Sequence, residues 1–167
     1  MSAISASIEV NRPADEVFAY ATDPTRFHEW QKGVLDGHLD DPGTPSVGTR
    51  CLTTRQIGLA KRPVTAEVTH IDPPHTWGVR GIDGPIRAQV NVRVTELDDS
   101  RSRLVIDVDF TGHGIGKILV PLLVRREARK EMPANVSALK KKPRVLNRVS
   151  EVPRRANVLS VTFDASD

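Results

Sequence analysis

Apolar and polar residues alternate along most of the chain up to residue 112, a pattern typical of β-strands with one buried face. The clearest case is 86–97, where apolar side chains take every second position from Ile86 to Val94 and polar side chains take the others. Short turn-rich segments join these runs, which predicts an antiparallel sheet with one solvent-exposed face. The strands are predicted over residues 3–11, 34–39, 49–57, 63–71, 76–82, 86–97 and 103–112.

Two short helices are predicted between the first and second strands. Residues 13–21 have helical spacing, with Pro13 suited to the first turn and Asn11 as the expected cap. Residues 25–31 form the second helix, and its apolar side carries two aromatic residues three positions apart, so that they lie next to each other. These are Phe27 and Trp30.

A single longer helix is predicted over 116–142. Its apolar residues recur at steps of three to five along one side, so that side must pack against the sheet. Pro133 removes the hydrogen bond to the carbonyl of Arg129, which predicts a helix that bends there or splits in two. The apolar residues are Leu119, Leu122, Leu123, Ala128, Met132, Val136 and Leu139.

Composition is that of an ordinary soluble domain: 167 residues, 38% of them hydrophobic and 27% charged. Cys51 is the one cysteine, which excludes an intramolecular disulfide and a CxxC metal site. No stretch approaches the roughly 18 apolar residues of a membrane helix. The N-terminal residues lack the basic start and continuous apolar core of a signal peptide. We therefore predict a cytoplasmic location.

The helical pattern ends near residue 142, and the residues beyond it carry prolines and charges without firm periodicity. This predicts one domain over 1–142 and a flexible extension over 143–167. A weak alternation over 158–163 leaves a late edge strand as the alternative.

The net charge of +3 is unevenly distributed, because residues 115–155 hold twelve lysines and arginines against three acidic residues. A basic helix of this kind can bind an anionic membrane or a nucleic acid. The outer side of the helix must be polar in any case, and no set of stacking aromatics accompanies the cations. We therefore do not expect a nucleic-acid partner, and we keep an interaction module for anionic partners as one alternative function.

The order of one strand, two short helices, six strands and a long C-terminal helix is that of the helix-grip fold. Four stretches resemble its START-like (SRPBCC) superfamily, most closely the polyketide cyclase/dehydrase-like group. They are IEVNRPADEVFAYATDPTRFHEW (8–30), VGTR (47–50), VTAEVTHIDPPHTWGVRG (64–81) and GHGIGKILVPLLVRREARKEMPANVSALKK (112–141). The resemblance implies an α+β fold in which a curved antiparallel sheet of about seven strands grips the C-terminal helix. It also implies a hydrophobic ligand cavity between sheet and helix, with its mouth near the early helices.

A cavity in that place would be mainly aliphatic, because the chain has only seven aromatic residues. An aliphatic lining favours an apolar or polycyclic ligand, such as a lipid or a polyketide, and binding of that ligand is the leading functional prediction. Phe27 and Trp30 would form a lid; the alternative is that they pin the short helices to the core. The predicted lining residues are Phe27, Trp30, Val68, Trp77, Val79, Val90, Val92, Ile106, Val108, Phe110, Leu122 and Met132.

A polyketide cyclase or dehydratase-type enzyme is the other alternative, and it needs an acid, a base or an enolate-stabilising group inside the pocket. His70 and Arg80 are the first candidates, since a β-bulge in either strand would change which side chains face inward. Strand alternation places the remaining acidic and amide candidates on the solvent face. The full set is Arg50, His70, Arg80, Asn91, Asp107 and Asp109.

No motif for a bound metal or cofactor is present. The five histidines are scattered, and the chain contains no HExxH, no GxSxG and no glycine-rich phosphate loop. The sequence therefore predicts neither a metal site nor a cofactor.

Overall fold

The computed structural model describes residues 3–57, 59–113 and 125–140, and all structural statements concern these residues. Their order is strand, two short helices, six strands and a final helix, as the sequence predicts. The elements are β1 (Ile4–Val10), α1 (Ala14–Thr22), a 3₁₀ turn (Pro24–Arg26), α2 (Phe27–Trp30), β2 (Val34–Leu39), β3 (Arg50–Ile57), β4 (Ala60–Asp72), β5 (Thr76–Gly81), β6 (Ile86–Asp98), β7 (Arg101–Gly112) and α3 (Arg125–Lys140).

The strands form one curved antiparallel sheet in the order β1-β7-β6-β5-β4-β3-β2. Each strand from β2 to β7 pairs with the next along the chain, and β1 returns to pair with β7. One face of the sheet, called the inner face below, carries the core. On this face α1 packs against β6 and β7, while α3 packs against β1 and α2. This is the α+β helix-grip fold, so the predicted fold class is confirmed.

The alternation predicted for β6 and β7 is confirmed. Val92 and Val94 on β6 are buried, as are Leu104 and Ile106 on β7, while Arg93 and Val105 between them point to the other face. The register pairs Val92 with Ile106 and Val94 with Leu104, so apolar side chains from neighbouring strands lie side by side. The apolar residues at every second position of these strands therefore form the inner face.

The early helices differ from the prediction in their ends. Helix α1 begins at Ala14 with Pro13 in the capping position and no side-chain cap, so the expected cap by Asn11 is wrong. The second helix is a 3₁₀ turn followed by α2, and Asp23 caps the turn by accepting from the backbone N–H of Thr25 at 2.9 Å. The Tyr20 hydroxyl donates to Glu29 at 3.0 Å and links α1 to α2.

Helix α3 continues through Pro133, so of the two predicted outcomes the split is wrong and the bend stays a prediction. Proline removes one backbone hydrogen bond, but Pro133 lies on the exposed side and neighbouring turns carry the helix past it. The predicted apolar side is confirmed for the described part, with Met132, Val136 and Leu139 buried. Leu119, Leu122 and Leu123 lie outside the described residues, as does the whole segment from 141 onward. No described helix is long and apolar enough to cross a membrane.

Strand β4 contains the irregularity that decides which of its side chains face inward. Its register to β5 shifts between Val68 and His70, so that Val68 pairs with Val79 and Ile71 pairs with Trp77. A bulge adds one residue to its strand, so two apolar side chains three positions apart can share one face. The extra residue keeps Ile71 on the inner face and leaves His70 on the outer one.

The contact between β2 and the 3₁₀ turn gives a test of this packing. A Cβ atom at Gly37 would overlap the carbonyl oxygen of Pro24, so Gly37→Ala forces the turn away from the sheet. We expect a loss of about 1–3 kcal/mol in the free energy of unfolding, measured by urea denaturation. The matched control is Gly43→Ala, where the new Cβ would lie 3.5 Å from the Asp41 carboxylate, an ordinary contact. Equal stability of the two variants would contradict the packing.

Candidate functional site

The inner face of the sheet is buried to different depths at its two ends. Under α1, the side chains of Val92, Val94, Leu104 and Ile106 are each at most 3% exposed. Elsewhere on the inner face, several apolar side chains are only half-buried although they adjoin the core. Four of them lie near one another on β4, β6 and β7, and we call these the half-buried floor: Ala66, Ala88, Val90 and Phe110.

The half-buried floor runs across three strands and is built mostly from small residues. Ala88 pairs with Phe110, and Ala66 pairs with Gly81, whose backbone adjoins Ala88. Cys51 on β3 continues this row, because it pairs with Ala66. Side chains this short rise little above the sheet, so this part of the inner face fills less of the space beneath the helices.

Helix α3 begins beside this floor. The Arg125 guanidinium donates to the Asp109 carboxylate and, at 3.4 Å, to the carbonyl of Phe110, which ties the first turn of α3 to the end of β7. Ala128, one turn later, is half-buried against the core, and Met132 is buried. The described part of α3 therefore faces the half-buried floor with small and flexible apolar side chains.

Helix α2 supplies an aromatic wall. Phe27 lies edge-on to Trp30 with ring centroids 5.9 Å apart, and edge-on to Trp77 of β5 at 6.2 Å. All three side chains are buried, so Phe27 and Trp30 pin α2 to the sheet. Trp30 Nε1 is buried and has no hydrogen-bond partner within the described part of the chain.

The predicted lining residues that are described all lie in the interior. Val90 and Phe110 belong to the half-buried floor, and Leu122 lies outside the described residues. Their role in ligand binding stays a prediction. The remaining ones are buried in the core: Phe27, Trp30, Val68, Trp77, Val79, Val92, Ile106, Val108 and Met132.

His70 and Arg80, the two predicted catalytic candidates, lie on the outer face. The His70 ring lies over Gly78, where a Cβ atom would overlap it, and its Nδ1 is 3.3 Å from the Thr69 hydroxyl. Arg80 is exposed and stands opposite Glu67 in the register. The bulge in β4 changes which side chains face inward, as was expected of a bulge, and it places Ile71 on the inner face and His70 on the outer one. Neither side chain is therefore in a position to act inside the interior.

The other polar candidates also lie away from the inner face. Asp107 accepts from Arg93 at 2.9 Å on the outer face, in the same cross-strand row as Asn91. Asp109 holds Arg125, and Arg50 is exposed. Strand alternation predicted the outward position of Asn91, Asp107 and Asp109, and their placement confirms it. Among the described residues, no three histidine, cysteine or acidic side chains are grouped so as to hold a metal ion.

Arg55 on β3 is the inner-face polar residue that the sequence reasoning missed. It shares its side of the strand with Cys51 and Thr53, and it pairs with the buried Val34. Its Nη2 donates to the Gln31 side-chain oxygen at 2.9 Å. Arg55 is only half-buried by exposed area, but protein surrounds its guanidinium closely enough that loss of hydration lowers its pKa, while Glu131 opposes the effect. Alternation in β3 is too weak to have found it, because all four residues from Leu52 to Arg55 are half-buried.

Cys51, although it adjoins the floor, is a poor nucleophile. Burial, with a smaller contribution from the Asp40 carboxylate, raises the pKa of its thiol to about 11. The thiolate is the reactive form, so at neutral pH this side chain behaves as a small apolar group.

Taken together, the inner face offers an apolar surface at the floor and hydrogen-bond donors near α2.

The sequence model of a protein family described as polyketide cyclase / dehydrase and lipid transport matches residues 1–143. No curated protein matches the chain.

Three solved structures are similar to this chain. The di-domain ARO/CYC BexL from the BE-7585A biosynthetic pathway has a TM-score of 0.69 and 14% identity over 88% of this chain, which spans only 48% of that protein. The Zhui aromatase/cyclase from Streptomyces sp. R1128 has a TM-score of 0.61 and 19% identity, covering 93% of this chain and 97% of that one. A conserved protein from Geobacillus kaustophilus has a TM-score of 0.62 and 21% identity, covering 86% of this chain and 94% of its own. At these identities the likeness shows the fold alone.

Proposed function

This chain belongs to the polyketide cyclase / dehydrase and lipid transport family, and we propose that it binds a small hydrophobic molecule between the inner face of its sheet and α3. The half-buried floor is the observation that carries the proposal. Apolar side chains that adjoin a core yet keep exposed surface gain free energy when a ligand covers them, at about 25 cal/mol per Å². A lipid, a polyketide or another apolar metabolite has the surface to do so.

The contrast within one strand supports this site over a plain packing surface. Val92 and Val94 of β6 are fully covered by protein, whereas Ala88 and Val90 of the same strand are half-buried. Ala88 has the smallest side chain on the inner face of this strand, so the sheet leaves most room above it. A ligand site is usually an apolar surface with a few polar groups at its edge, and the floor together with Thr53 and Arg55 further along β3 supports such a site.

A cyclase or dehydratase activity is the second candidate, favoured by the family and by two aromatase/cyclases among the similar structures. It needs a polar group that reaches a ligand on the floor. Within the described residues, Arg55 and Thr53 are the inner-face polar side chains closest to that position along the sheet. We therefore propose ligand binding as the first function and catalysis as the second.

Mass spectrometry tests the binding proposal. The protein is purified without detergent and measured under native and then denaturing conditions, and we expect a non-covalent adduct that organic solvent extracts. Addition of 2-naphthamide, an uncharged two-ring probe, should also raise the unfolding temperature, because it binds the folded state alone. A bare polypeptide mass, together with an unfolding temperature that does not change at saturating probe, would contradict the proposal.

A further inference from the structure

Arg55 is an arginine on the face of the sheet that packs against the helices. It lies on the inner face of β3, and its side chain is half-buried there. Its hydrogen bond goes to the uncharged amide of Gln31, the residue that follows α2. A guanidinium has five N–H groups in a planar fork, so one amide oxygen satisfies only part of its donor capacity.

The acidic residue that acts on Arg55 is already engaged in another ion pair. Glu131 of α3 influences Arg55 from a distance, but its carboxylate is paired with the Lys32 ammonium at 3.2 Å. Lys32 also donates its backbone N–H to Asn135, which fixes this part of α3 beside the end of α2. Within the described ranges, no carboxylate lies within ion-pair distance of Arg55. Removing a charge from water without a counter-charge is costly, so this position favours an anion brought from outside.

A second donor belongs to the residue next to Gln31 in the chain. Trp30 directly precedes Gln31, its side chain is 7% exposed, and its Nε1 is buried with no acceptor among the described residues. Indole N–H groups normally find a hydrogen-bond partner when buried. The corner where α2, β3 and α3 meet therefore combines a cation and a neutral donor, and both need an acceptor.

We propose that Arg55, assisted by Trp30 Nε1, binds the carboxylate of an otherwise apolar ligand whose body lies on the half-buried floor. This inference rests on the proposed function and adds the chemical class of the ligand. Two forked N–H groups of arginine match the two oxygens of a carboxylate, which gives direction as well as attraction. Burial strengthens the pairing, because protein screens charges less than water does.

The spacing along β3 sets the shape of such a ligand. Arg55 and Cys51 are four residues apart on one face, a distance of about 13 Å along the strand. Cys51 pairs with Ala66, the first residue of the floor on this side. The arginine side chain covers part of that distance, so an elongated molecule with fused rings or a medium-length chain and a terminal acid fits.

Calorimetric titration with two matched probes tests the inference. 2-Naphthoate and 2-naphthamide share one ring system and differ in charge, and the former is ionised at neutral pH. We expect the wild-type protein to bind the carboxylate about tenfold more tightly than the amide, the size of one charge-assisted contact. Arg55→Met should remove this preference while weakening the amide much less. Arg55→Lys, which keeps the charge without the fork, should retain part of it.

The matched control is Lys61→Met. Lys61 is exposed and pairs with Gln56 in the β3–β4 register, so this variant removes a cation from the outer face of the same hairpin. It should keep the tenfold preference. Circular dichroism checks that each variant is folded.

Three results would overturn the inference, and they separate it from the proposed function. Equal wild-type affinity for both probes shows binding without this anion contact. Equal weakening of both probes by Arg55→Met shows that Arg55 only holds α2 and α3 in place through Gln31. Wild-type protein that binds neither probe contradicts the proposed function itself, and the inference fails with it.

Discussion

Replacing Ala88 with phenylalanine is expected to lower the affinity for 2-naphthamide by more than about tenfold, because the new ring occupies the floor on which the probe would lie. Ala88 is half-buried on the inner face, with Phe110 opposite it on β7 and Gly81 beside it on β5. The added ring replaces the ligand's own contact surface, so the apolar area that the ligand buries falls sharply. Titration calorimetry measures the change directly.

The control for this variant is Gln89→Phe, which adds the same ring one residue further along β6. Adjacent residues of a strand point to opposite faces, and Gln89 is exposed on the outer one. Its affinity for the probe should match that of the wild-type protein. If Ala88→Phe binds 2-naphthamide as well as Gln89→Phe does, the ligand does not lie on the floor.

Shortening Leu104 to alanine is expected to lower the free energy of unfolding by about 2–5 kcal/mol, the largest stability effect that we predict. Leu104 is fully buried on β7, between Ile8 of β1 and Val94 of β6. The three side chains close the end of the inner face under α1, where large residues leave little room to collapse around a cavity. Urea denaturation followed by circular dichroism gives the value.

Leu97→Ala is the comparison for this prediction. Leu97 lies near the end of β6 and is 36% exposed, so its truncation removes little buried surface and should cost less than about 1 kcal/mol. Similar losses for the two variants would mean that the end of the inner face under α1 is not the packed part of the core. The binding of 2-naphthamide should survive Leu104→Ala at temperatures where the variant is folded, because this residue is distant from the floor along the sheet.

Strand positions were predictable because side chains of a β-strand point alternately to its two faces, so buried residues recur at every second position. In β6 every second residue from Ile86 to Val94 is apolar, and that pattern determines which face packs against the helices. Helix ends were harder, since a cap depends on one local geometry. Asn11 has the right side chain for a cap, but the chain turns into the helix at Pro13 instead. Pro133 breaks one hydrogen bond without ending α3, because packing supplies more free energy than that bond removes.

The candidate site was less predictable than the fold. The bulge in β4 moves His70 to the outer face, and its position depends on pairing with β5 rather than on local sequence. In β3 the pattern is weak: Leu52 and Thr54 of one face are half-buried, as are Thr53 and Arg55 of the other. The inward direction of Arg55 becomes visible only through its pairing with Val34 and its bond to Gln31. Contacts between segments distant in the chain decide whether His70 and Arg55 face inward, and those contacts cannot be deduced from a single sequence.

The most direct test of the account is to locate a bound probe by nuclear magnetic resonance. With methyl-labelled protein and saturating 2-naphthamide, we predict nuclear Overhauser effects between the probe and the methyl groups of Ala88 and Val90 on the floor. Met132 of α3 should show them as well, because it faces the same space. Effects confined to the exposed methyl groups of Ile57 and Leu59 on the β3–β4 hairpin would contradict the claim that a hydrophobic molecule binds between the sheet and its C-terminal helix.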